Sequence, residues 1–194
     1  IKITEFKKEF KGNENIDLAI WCLQDKTQIA KIESEYKFLD ASQVDFNHKG
    51  NASETYLILG FPITRTKITP GSIAPKVFSY FTHGSKSNIY RNLGISEDLN
   101  IVISYRKRKI WNFTLNRAEQ GPDPYGLSGC GLWHLGPSVK SDKLVGIMHE
   151  WNTNYSVLIA TRIRCTFPFL ALFVASDKAS LDYLMAFVNR KEKH

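Results

Sequence analysis

The chain has 194 residues, 43% of them hydrophobic and 23% charged, with a formal net charge of +7. That is enough apolar material for one sizeable core or two small packed ones, and it excludes a disordered chain. No apolar run reaches the roughly 20 residues needed to cross a bilayer and no signal-peptide pattern follows Ile1, so a soluble chain without membrane contact is expected.

Three cysteines, Cys22, Cys130 and Cys165, form no Cys-x-x-Cys pair and leave one unpaired under any disulfide scheme, which points to a reducing, cytoplasmic setting. The positive charge could draw an acidic partner, but its one dense run, 106–109, sits between strand-like residues and reads as a solvated hairpin end. Its distribution therefore argues against nucleic acid.

In chain order, residues 1–10 carry Ile and Phe among charges, and Gly12-Asn13-Glu14-Asn15 marks a turn before the apolar run 16–23, so two strands fit. Residues 31–38 suit either a strand or one helical turn. Residues 56–62 are a short apolar run stopped by Gly60 and Pro62, the pattern of a buried strand. Pro70, Gly71, Pro75, Gly84 and Gly94 then cut the chain into short pieces, of which 77–81 and 101–105 look extended. Further strands are expected over 144–148 and 155–164. Residues 180–188 space their apolar side chains as a helix does, with Ser180 as N-cap. The class expected is all-β with a C-terminal helix.

Residues 121–133 concentrate the chemistry. Gly126, Gly129 and Gly131 surround a single hydroxyl, that of Ser128. Glycines permit backbone torsions closed to other residues and let a substrate approach the main chain, so such a loop can expose Oγ. It can also aim the amides of Gly126 and Ser128 at one point, as an oxyanion hole requires, where each donor is worth about 3 kcal/mol. A glycine-rich hairpin with a surface serine fits the string as well. Cys130 reads as a small buried residue, with a cysteine nucleophile as the lesser alternative.

Gly126-Leu127-Ser128-Gly129-Cys130 resembles the nucleophile segment of the trypsin-like serine proteases. The longer match, Pro122-Asp123-Pro124-Tyr125-Gly126-Leu127-Ser128-Gly129 followed by Gly131-Leu132-Trp133, looks like their bacterial intracellular branch. Three further segments follow in family order: Ile16-Asp17-Leu18-Ala19-Ile20 for the triad aspartate, Leu59-Gly60-Phe61-Pro62 for the start of the second barrel, and Leu144-Val145-Gly146-Ile147-Met148 for the strand leading to the substrate. The resemblance implies a two-barrel antiparallel fold, with residues 1–55 as the remainder of the first barrel and linker, 56–175 as the second barrel, and 176–194 as the C-terminal helix and tail. It implies a serine endopeptidase with Ser128 as nucleophile, Asp17 orienting an imidazole, and the Gly126 and Ser128 amides as oxyanion hole.

A serine needs a base, and residues 1–16, where the family order places the histidine, contain none. The expectation is that an upstream segment or regulatory partner supplies it; the competing reading is a catalytically inactive, protease-like peptide-binding module. His48, His83, His134, His149 and His194 read as loop or surface histidines, with His149 the one whose strand passes beside the triad. Leu127 stands where many secreted relatives carry an aspartate that captures a new N-terminal amine, so the Ile1 amine is not expected to switch on the loop. Asp123, Tyr125, His149, Glu150 and Trp151 are the expected substrate-binding residues, for a peptide or protein substrate. No cofactor is implied, and no metal-ligand spacing or phosphate loop appears.

Overall fold

A computed structural model describes residue 23, residues 25–50, 52–112 and 116–167, and residues 170, 178 and 182. The described chain is mostly β. Its strands are β1 (Thr55–Gly60), β2 (Lys67–Thr69), β3 (Ser72–Ala74), β4 (Phe78–His83), β5 (Asn100–Ser104), β6 (Ile110–Asn112), β7 (Arg117–Glu119), β8 (Gly131–His134), β9 (Lys143–Asn152) and β10 (Val157–Arg162). Two α-helices accompany them, α1 (Lys26–Glu35) and α2 (Ser87–Leu93).

Six strands form one antiparallel sheet in the order β4-β1-β8-β9-β10-β5. In β4 Phe78, Tyr80 and Thr82 are buried while Ser79, Phe81 and His83 are exposed, the period-two alternation of a half-covered strand. β10, by contrast, is buried at every position. Its inner side chains Leu158 and Ala160 join the main core with Ile101, Ile103 and Met148, and its outer ones, Val157 and Ile159, pack with Val102 and Tyr90 of α2. A strand covered on both faces has no need to alternate.

The sheet curls until its edge strands meet. Gly84 forms an isolated antiparallel bridge with Ile103, Ser85 N–H donates to Val102 O at 2.8 Å, and Thr82 Oγ1 donates to Ser104 O at 2.7 Å. Bulges lie between Leu132 and Trp133 of β8 against β9, and between Ile159 and Ala160 of β10 against β9; bulges of this kind bend a sheet. Two small hairpins, β2-β3 and β6-β7, stand outside it.

The runs at 56–62, 77–81, 101–105, 144–148 and 155–164 correspond to β1, β4, β5, β9 and β10. Residues 31–38 divide instead: α1 is capped at its start by Asp25, whose carboxylate accepts from Thr27 N–H at 2.8 Å, and the chain is already extended at Tyr36. α2 was not foreseen. It is held by its one buried residue, Tyr90, whose hydroxyl accepts from Val102 N–H at 2.8 Å, and it ends on Gly94 in the left-handed region. The basic run 106–109 leads through a 3-10 turn into β6, and Lys107 in it is half-buried rather than fully solvated. The strands expected before residue 23, and the helix expected over 180–188 apart from Asp182, lie outside the described residues. Among the described residues no helix is long and apolar enough to cross a membrane.

Candidate active site around Ser128

The loop joining β7 to β8 is anchored by Leu127, which is 2% exposed and belongs to the main core. Its N–H donates to Pro124 O and its carbonyl accepts from Cys130 N–H, both at 3.0 Å. The loop is tied to β9 by Gly129 N–H to Met148 O and Met148 N–H to Cys130 O, each 2.8 Å, and to the segment after β1 by Ile63 N–H to Tyr125 O at 2.8 Å. Ile1 lies outside the described residues, so the fate of its amine is not part of this geometry.

Ser128 is exposed and flanked by two left-handed glycines, Gly126 at φ 90° and Gly129 at φ 87°. At Gly126 space also demands glycine: a Cβ would stand 2.9 Å from Ile63 Cγ1 and 3.0 Å from Ile63 N. At Gly129 a Cβ would meet open space, so only the backbone torsion requires glycine there. Of the consecutive amides from Gly126 to Cys130, those of Leu127, Gly129 and Cys130 are bonded, whereas those of Gly126 and Ser128 donate to no described group. Those two are the donors the sequence singles out.

Cys130 points the other way. Its Sγ lies against Gly60, it packs on the main core, and burial pushes its thiol up, only partly offset by a contact with the Phe61 backbone. A raised thiol is a poor nucleophile near neutral pH.

Asp123, Tyr125 and Trp151 come together, with two residues the sequence did not flag. Lys107 Nζ pairs with Asp123 Oδ1 and lies 5.9 Å from the centre of the Trp151 ring. Trp151 meets Tyr105 and Tyr125 edge to face, at 6.4 and 6.0 Å between centroids, and Tyr105 donates its hydroxyl to Pro122 O at 2.6 Å. Glu150 is exposed. His149 is the extra residue of the β9–β10 bulge, half-buried, with Nε2 3.4 Å from Asn100 Oδ1.

Of the remaining histidines, His48 is a loop residue as expected but a buried one, at 9% exposure, whereas His134 needs correction: it is a half-buried residue of β8, in neither a loop nor the open surface. Burial pushes the His48 imidazole down to about 4, against the opposing pull of Glu54. His134 pairs with Tyr56, whereas the serine loop packs on Gly60 four residues along β1; at about 3.3 Å per residue the two places are about 13 Å apart. His83 is exposed and pairs with Thr55, at the same far end. Asp17 and His194 lie outside the described residues. No family model matches the chain, and no curated protein matches it.

Proposed function

We propose that this chain carries the nucleophile of a chymotrypsin-like serine endopeptidase, its curled six-stranded sheet corresponding to the second barrel of a two-barrel fold. The observation that carries the reading is the alternation of amides around Ser128: those of Leu127, Gly129 and Cys130 are bonded within the fold, and those of Gly126 and Ser128 donate to no described group, beside an exposed hydroxyl. Two backbone donors directed at one point stabilise the charge that develops on a carbonyl under attack.

In this reading Ser128 Oγ attacks a peptide carbonyl and its proton passes to an imidazole oriented by Asp17, then to the leaving amine; water hydrolyses the acyl-enzyme. The imidazole is supplied by an upstream segment or a regulatory partner in the cytoplasm. The substrate main chain adds to β9 along His149, Glu150 and Trp151, where that strand runs past its pairing with β8, and Asp123 and Tyr125 wall the primary pocket.

A fluorophosphonate probe tests this on the full-length protein. Labelling is expected in the wild type and absent in Ser128→Ala, with Asp17→Asn slowed. Equal labelling of wild type and Ser128→Ala would falsify the assignment. A second reading, an inactive peptide-binding module, is motivated by the lack of a histidine in residues 1–16, where the family order places the base. It predicts peptide binding of equal strength in wild type and Ser128→Ala, with no labelling of either.

A further inference from the structure

At the end of the sheet remote from Ser128, side chains of the type that bind metals converge from two parts of the chain. His48 comes from the segment before β1, Glu54 immediately precedes that strand, and His134 ends β8 opposite Tyr56. One ligand atom from each lies within 4.8 Å of the others. We propose that His48, Glu54 and His134 form a site for one divalent transition-metal ion of the zinc class.

Two imidazoles and one carboxylate are a donor set that suits zinc, with water completing the tetrahedron. The spacing fits. Two donors each about 2.0–2.1 Å from a tetrahedral ion stand about 3.3 Å apart, and His48 Nε2 and Glu54 Oε2 are 3.2 Å apart. The His48 and His134 rings face each other at 4.7 Å between centroids, inclined by 36°, so a modest turn of the half-buried His134 brings its nitrogen to the same ion.

The surroundings hold these donors in place. Tyr56 donates its hydroxyl to Glu54 Oε2 at 3.0 Å, and its burial keeps the phenol protonated, so this outer partner persists. Carboxylate ligands are commonly steadied by such a bond. The His48 and Lys49 carbonyls accept from the Arg162 guanidinium, which fixes the backbone on which His48 is carried. The guanidinium charge opposes a cation nearby, and the carboxylates of Glu54 and Asp45, both acting on His48, offset it. In the metal-free arrangement His48 Nε2 faces the Tyr56 hydroxyl at 2.9 Å; binding requires the tautomer with its proton on Nδ1, leaving the Nε2 lone pair to the ion. His48 and Glu54 are six residues apart, but His134 follows Glu54 by 80, so the full donor set comes together only in the folded chain.

The test is titration of the chelator-treated chain with Zn²⁺ against a competing chromophoric chelator, repeated with Co²⁺ and read by visible absorption. One equivalent is expected to bind, with intense Co²⁺ bands of a tetrahedral site. Glu54→Gln and His134→Asn should each weaken binding by more than about 100-fold, beyond the 10–100-fold typical of a lost outer partner, and Tyr56→Phe should fall within that range. His83→Ala controls for adventitious surface binding and should change nothing. If Glu54→Gln or His134→Asn unfolds, the wild-type Co²⁺ spectrum decides alone. Absence of a saturable site, Co²⁺ bands of an octahedral aquo-like ion, or binding unchanged in both folded ligand variants overturns the proposal.

Discussion

Gly60 and Leu127 leave no room between them: a Cβ on Gly60 would fall 2.6 Å from Leu127 Cδ2 and 2.3 Å from Cys130 Sγ. Leu127 is buried and Cys130 half-buried against the core, so neither can simply swing away. The last residue of β1 thus sets the height of the serine loop above the sheet. Gly60→Ala is expected to lower stability by about 1–3 kcal/mol, the range of an overpacked core, and to slow probe labelling of Ser128. Thermal unfolding and labelling rate read the two effects. Gly129→Ala, which meets open space, should show backbone strain without that clash; equal effects on labelling and stability would separate loop height from the outcome.

Arg162 stitches the start of the described sheet to its end. It is 5% exposed, and its guanidinium donates to the carbonyls of Glu97, His48 and Lys49. An ammonium has no fork to span three acceptors on two segments. Arg162→Lys is therefore expected to cost about 2–4 kcal/mol, the price of stranded carbonyls near a buried charge. Hydrogen exchange should quicken at 48–50 before it does at β9. A variant with unchanged urea midpoint and exchange would show that the three bonds contribute nothing.

Cys130 offers a test of chemistry at the loop. Burial disfavours its thiolate, so its pKa lies above the ordinary thiol value and the reactive fraction at any given pH is smaller. Alkylation by iodoacetamide at pH 8 should be slower at Cys130 in the folded chain than in urea, and should speed up as pH rises. Peptide-resolved mass spectrometry gives the rates. Pretreatment of the folded chain with the reagent should leave Ser128 labelling intact; rapid alkylation of Cys130 in the folded chain would restore it as a rival nucleophile.

What could be read from the sequence was local. β1, β5 and β9 declare themselves through short apolar runs ended by Gly, Pro or polar residues, and the glycines at 126 and 129 announce a loop because a positive φ is a property of single residues. α2 stayed hidden for a physical reason: seven residues without a side-chain cap have little intrinsic helicity, and the Tyr90 anchor is a tertiary contact. α1 carried a readable signal, the Asp25 cap. The Lys107–Asp123 pair, and the meeting of His48 with His134, join residues far apart in sequence. No spacing rule could bring them together.

Burial of His48 makes stability depend on pH in a defined direction. Its imidazole, facing Glu54, Asp45, His134, Arg162 and the Tyr56 hydroxyl, is pushed from the usual 6.5 down to about 4, chiefly by desolvation. The unfolded chain therefore binds a proton there before the folded chain does. Stability from this group is present in full above about pH 6.5 and is lost as pH falls from 6.5 through 4. Urea midpoints of the wild type, measured in chelator, should be level between pH 7 and 8 and decline across that window. His48→Gln, which keeps a polar side chain but does not titrate, should start lower and decline less, while the exposed His83→Gln should follow the wild type. Parallel declines in wild type and His48→Gln would mean that the acid sensitivity belongs to the neighbouring carboxylates instead.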